Sequence, residues 1–167
     1  MNKLVHDATY QELLEQISHT YAAGRSAALQ AVNTQLVQTY WQVGQQIVEF
    51  EQGGKDRAEY GTGLIPRLSA DLRLRHGKGF SRSNLISMRQ FYLLYSKSQK
   101  PSGLLSWSHF VELIRMDDPL ERNFYEQQAA SERWSVPELK RQYASSLFLR
   151  LAASKDKAGI LQLARQG

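Results

Sequence analysis

The sequence predicts an all-α protein, a multi-helix domain of about seven or eight helices. Three observations predict it. Apolar residues recur three and four apart, as in Tyr10, Leu13, Leu14, Ile17 and Tyr21, the spacing that lines one face of an α-helix. Helix-start signals recur as well, in Thr9 with Glu12, Ser81, Asp118-Pro119, and Ser135 with Glu138. Each places a side-chain oxygen where it can accept a free first-turn N–H. No run alternates apolar and polar residues in the way a half-buried strand does.

The first helix carries the stripe from Tyr10 to Tyr21, and Gly24 either breaks it or merely interrupts it. A longer helix is expected over 26–51, with Leu29, Val32, Leu36, Val37, Tyr40, Trp41, Val43, Ile47, Val48 and Phe50. So wide a stripe suits a central helix touched on more than one side. Gly44 lies inside it, and a close helix–helix approach would offset the cost of glycine there, about 1 kcal/mol against alanine. Gly53-Gly54 stops the pattern, and 52–63 reads as a polar loop. Leu64–Arg75 forms the next helix, with Pro66 tolerable in a first turn. His76-Gly77-Lys78-Gly79-Phe80 makes a tight basic connection. Ser81 then caps a helix bearing Leu85, Met88, Phe91, Tyr92 and Tyr95. Further helices start at Ser106, at Asp118-Pro119 and at Ser135. The last of these is expected to bury Leu139, Tyr143, Leu147 and Leu151. A short segment over 156–165 closes the chain.

With 167 residues, 42% of them hydrophobic and 22% charged, the chain has the balance of a folded protein rather than a disordered one. It has no cysteine, which excludes a disulfide scaffold, thiolate zinc sites and a cysteine nucleophile together. No apolar run approaches the ~20 residues needed to cross a bilayer. A cytoplasmic protein without a membrane partner is expected. The net charge of +5 is unevenly spread. Residues 1–60 hold 4 Lys/Arg against 7 Asp/Glu, residues 61–116 hold 9 against 2, and residues 117–167 hold 8 against 7. A single-sign field over the middle third attracts polyanions, nucleic acid foremost.

The segment 64–95 is the sharpest local signal. It reads as helix, glycine-containing basic turn, helix, which is similar to a helix-turn-helix. There the first residues of the second helix reach base edges, while the turn and first helix hold phosphates. Arg67, Arg73, Arg75, Lys78, Ser81, Arg82, Asn84 and Arg89 are the candidate nucleic-acid-binding residues. The connection is longer than the usual three to four residues, and the plain alternative is an αα-corner with solvated or acid-paired arginines. Trp107, Phe110 and Trp134 are expected in the core, and His109 as a structural histidine near Trp107 rather than a metal ligand. Glu138-Leu139-Lys140 matches the acid-x-Lys part of a PD-(D/E)xK nuclease motif. However, Glu138 already has a capping role, and Lys140 falls on the same helix. No catalytic constellation, cofactor or metal site is expected in this chain.

Several motifs together resemble the helical N-terminal domain of YhcG-like bacterial proteins. They are Asn33-Thr-Gln-Leu36 with Tyr40-Trp41-Gln-Val-Gly44, Tyr60-Gly61, Leu68-Ser69-Ala-Asp71-Leu72, and Gly77-Lys78-Gly79-Phe80-Ser81 with Asn84-Leu85. Met88-Arg89-Gln-Phe91-Tyr92, Leu105-Ser106-Trp107-Ser-His109, Arg122-Asn-Phe124-Tyr125 and Trp134-Ser135-Val136 with Glu138-Leu139 continue the match. Pro137 departs from it, standing where the family commonly has Arg. In that family the domain precedes a PD-(D/E)xK nuclease-like domain. The resemblance implies a non-catalytic DNA-targeting module over 1–153, with 154–167 leading toward a nuclease-like domain in cis that this chain lacks. DNA and a homo-oligomer such as a dimer are the expected partners. The alternative is a dimerisation or protein-interaction module that touches no nucleic acid.

Overall fold

The computed structural model describes residues 2–53, 61–95, 103–154, 158, 159 and 162, with backbone alone for 2–7 and 62. Among the described residues there are seven α-helices, one short 3-10 turn at Gly61–Gly63 and no strand. The helices are α1 (Asn2–Gln52), α2 (Leu64–His76), α3 (Arg82–Leu94), α4 (Trp107–Leu113), α5 (Pro119–Ser131), α6 (Val136–Ala144) and α7 (Leu147–Ala152). The fold is all-α. The expected segment over 156–165 and the central part of the 52–63 loop lie largely outside the described residues.

Two of the expected helices are one. α1 runs unbroken for 51 residues, roughly 77 Å at 1.5 Å per residue. Gly24 does not break it, because glycine lowers helix propensity without removing a backbone hydrogen bond. Thr9 therefore lies inside the helix rather than at its start. Conversely, one expected helix is two. α6 ends at Ala144, and Ser146 takes a left-handed conformation, φ 53°, before α7 begins. The Tyr125 hydroxyl holds this break, donating to the Gln142 carbonyl (3.3 Å) and accepting from the Phe148 N–H (3.2 Å). Tyr143 consequently stays 41% exposed rather than entering the core.

The caps explain most of the other boundaries. Ser81 accepts from the Asn84 N–H at the start of α3, Asp118 from the Leu120 N–H at α5, and Ser135 from the Glu138 N–H at α6. The Glu138 side chain turns forward instead of closing a box, accepting from Arg141 and Gln142, each at 2.7 Å. Those two donors hold its carboxyl below the usual carboxylate range. The reciprocal box forms at α4, between Ser106 and His109.

The core has two parts. Ile47, Leu64, Leu85 and Met88 make a layer between the C-terminal half of α1, α2 and α3. Phe91, Tyr95, Phe110, Leu113, Phe124, Tyr125, Leu139 and Phe148 make a larger one among α3–α7. Trp107 belongs to both, its ring 4.9 Å from Tyr40 and 5.3 Å from Phe91. α3 lies hard against α1. A Cβ at Gly44 would meet the Met88 carbonyl oxygen at 2.0 Å, so this crossing requires glycine.

Candidate nucleic-acid interface

α2 and α3 follow one another through a five-residue connection, 77–81. Gly77 (φ 80°) and Gly79 (φ 114°) both take left-handed backbone that L side chains avoid. Gly77 closes α2, its N–H bonding the Arg73 carbonyl at 3.0 Å. Ser69 ties the connection back onto α2 through a 2.8 Å bond to the Phe80 carbonyl. Asn84 locks it from the other side. Its amide N–H donates to the Gly79 carbonyl, and its amide oxygen accepts from Trp107 Nε1 at 2.8 Å. The loop is thus a fixed shape hung from the core tryptophan.

The candidate residues divide into groups. Arg73 and Lys78 come together around a shallow depression of about 400 Å³, with Ala70, Leu74 and Gly77. Arg82 opens α3 four residues beyond Lys78 and is exposed. Arg67 is exposed but lines a different cavity of about 500 Å³, with Asp71, His76 and apolar residues of α1 and α2. Arg75 stands about 200° around α2 from Arg73 at 100° per residue. Ser81 is occupied as a cap, and Asn84 at both ends of its amide. Arg89 pairs with Glu51 of α1 at 2.7 Å, with both side chains about one-third exposed. Among the described residues Arg73, Arg75, Lys78 and Arg82 enter no ion pair.

Helix electrostatics separate these cations further. Arg73, Arg75 and His76 fill the last turn of α2, where positive charge stabilises the helix. Arg82 occupies the first turn of α3, which carries no acid. There a cation opposes the helix dipole, and the N–H groups left over by capping suit an anion instead.

Elsewhere the functional alternatives are used up structurally. His109 Nδ1 faces the Ser106 N–H (3.2 Å) and hydroxyl (2.8 Å), while Nε2 faces the Trp134 carbonyl (2.8 Å). A carbonyl only accepts, so Nε2 carries the hydrogen and Nδ1 accepts. The ring bridges α4 to the end of α5. Lys140 pairs with Glu112 at 3.3 Å, away from any metal-binding arrangement with Glu138. Among the described residues no three of His, Asp and Glu group to hold a metal. Nor is any helix among them long and apolar enough to cross a membrane. Sequence reasoning missed the Asn84 bridge and the Arg89–Glu51 pair, the latter spanning 38 positions, because no local pattern marks a long-range partner.

Residues 16–150 match the DUF1016 N-terminal domain. The chain belongs to that family. It is 36% identical over 187 aligned positions to an Escherichia coli (strain K12) protein named "Putative nuclease YhcG", across 93% of this chain. The chain spans 50% of that relative's length. No solved structure matches it. In this DUF1016 N-terminal domain, the matched span takes in α2, the basic connection and α3.

Proposed function

We propose that the domain is a non-catalytic nucleic-acid-targeting module of a nuclease-associated protein, holding DNA through the connection between α2 and α3. The observation that carries this reading is Arg82. It is a cation at the positive end of a helix with no acid in its first turn, four residues along the chain from Lys78, which shares a shallow depression with Arg73. An anion there would offset the repulsion and accept from the helix N-terminus. The surplus of seven positive charges over 61–116 supplies a long-range field of the same sign. The name of the Escherichia coli relative points to nuclease association, and a catalytic domain in cis would supply the chemistry.

The geometry favours phosphate over base contacts. Asn84, the side chain best suited to reading an adenine edge, is engaged on both sides. What remains exposed are Arg, Lys and Ser side chains and helix N–H groups, which position a backbone without reading sequence. Binding should therefore be indifferent to sequence and steeply salt-dependent.

Fluorescence anisotropy of a labelled duplex of ~20 base pairs, titrated at several salt concentrations, tests this. The slope of log K against log salt shrinks by about 0.9 for each phosphate that the protein no longer neutralises. The triple change Arg73→Ala, Lys78→Ala, Arg82→Ala should flatten it by roughly 2–3 while leaving the far-ultraviolet spectrum intact. An unchanged slope in a folded triple variant, or no binding by the parent at low salt, overturns the proposal.

A further inference from the structure

We infer that residues 10–31 of α1 form an antiparallel seam with a second copy of this chain, Tyr21 of each copy seating over Gly24 of the other. The inference is independent of nucleic-acid binding.

The N-terminal half of α1 is exposed throughout: every described side chain from Ala8 to Val32 is open to solvent. Among the described residues nothing covers its apolar stripe. Tyr10 is 59% exposed, Ile17 58% and Tyr21 71%. Nor does the stripe extend the face that α1 turns to the core. At about 100° per residue Tyr10, Leu14, Ile17, Tyr21, Gly24 and Ala28 fall within roughly 40° of one direction. Val37, Gly44 and Val48 point about 160–200° away from it. Ser26, Leu29, Gln30 and Asn33 lean with the core side, lining a cleft against the end of α5. The stripe therefore faces away from the chain's own domain.

Three features name a second copy as the occupant. The first is spacing. Positions 10, 14, 17, 21, 24, 28 and 31 alternate steps of four and three, the two-helix seam pattern. They read Tyr, Leu, Ile, Tyr, Gly, Ala, Ala with no charge, so self-pairing meets no repulsion. The second is the match of large to small. Antiparallel pairing sets Leu14 opposite Ala31, Ile17 opposite Ala28 and Tyr21 opposite Gly24. Each layer then holds one bulky and one small residue, which keeps the helix separation even. Parallel pairing would stack tyrosine on tyrosine at one end and glycine on glycine at the other. The third is area. The exposed side chains of Tyr10, Leu13, Leu14, Ile17, Tyr21 and Val32 present on the order of 600–700 Å² per chain, within what one side of a stable interface buries.

Gly24 supports the same register. Among the described residues nothing beyond the helix's own backbone and its chain neighbours lies within 4 Å of a Cβ built there, so no tertiary contact among them accounts for glycine in the middle of a helix. In the seam it is the hole that receives Tyr21 of the other copy.

The whole 167-residue chain should sediment as a dimer at concentrations of ~10 μM, in the range typical of interfaces of this size. Ile17→Glu with Tyr21→Glu should give a monomer whose tryptophan fluorescence and unfolding are those of the folded domain, since neither residue touches the core. Gly24→Leu, harmless to a single copy, should weaken the dimer at least ~10-fold by filling the hole. The chain has no cysteine, so orientation is readable. Leu14→Cys and Ala31→Cys chains, mixed and oxidised, should cross-link to one another. Leu14→Cys alone should not, because antiparallel copies hold those positions ~25 Å apart. A monomeric parent, a dimer that survives the Glu substitutions or Gly24→Leu, or cross-linking of Leu14→Cys to itself would each overturn the inference.

Discussion

Gly44 and Gly24 sit in one helix, yet their surroundings make opposite demands. Beside Gly44 the Met88 carbonyl is so close that a methyl group would require α1 and α3 to separate. Gly44→Ala should therefore cost about 3 kcal/mol or more, the upper range for overpacking, measured by urea unfolding. The sequence made this contact legible, since glycine inside a wide apolar stripe implies a close neighbour. The Tyr95 environment was not legible. Its hydroxyl donates to Glu126 at 2.8 Å, 31 positions away. Burial first, and then the Glu126 carboxylate, push the phenol well above its ordinary value. In the unfolded chain it ionises near pH 10. The stability gained by keeping it protonated is thus complete below about pH 10 and is lost as pH rises beyond that. Tyr95→Phe should cost about 2 kcal/mol at neutral pH, typical of a hydrogen bond to a charged group. It should also show a shallower loss of stability between about pH 9 and 11, both measured by urea unfolding across pH.

The elements whose ends carry side-chain caps were readable. Asp118-Pro119 and Ser135 start α5 and α6 where a free N–H needs an acceptor. Boundaries set by tertiary contacts were not, because Ser146 offers no glycine or proline to announce the break before α7. The end of α5 hides in the same way. It closes with the Trp134 N–H on the Ala129 carbonyl at 3.0 Å, which leaves Arg133 left-handed at φ 53°. Glycine ordinarily fills that position. A non-glycine residue there carries roughly 1 kcal/mol of strain. Arg133→Gly should raise stability by about 0.5–1 kcal/mol despite the greater freedom it gives the unfolded chain. A matching rise in the urea midpoint at unchanged slope would show it, and a fall would mean that the arginine stem contributes more to packing than the turn loses in strain.

At the scale of the molecule, the chain divides along α1. Beyond about Asn33 the helix is the central member of the fold, clamped by Gly44 on Met88, by Trp41 Nε1 on the Tyr95 carbonyl (2.7 Å) and by Thr34 on the Gly103 carbonyl (3.0 Å). Before Arg25 it contributes no buried side chain among the described residues. The wide apolar pattern of α1 showed that a helix would form. It did not show that its two halves serve different faces, because periodicity fixes a stripe and not what covers it. Truncation exploits that division. Removing residues 2–24 leaves the core whole, so at low protein concentration the unfolding free energy should stay within about 0.5 kcal/mol of the parent. Oligomerisation makes a melting temperature depend on concentration. The parent's should therefore rise across a ~100-fold increase in concentration, by an amount set by its dimer affinity, while the truncated chain's should stay flat. A truncated chain that loses stability even when dilute would show that the outer half of α1 supports its own domain, and the division of the helix into two roles would fail with it.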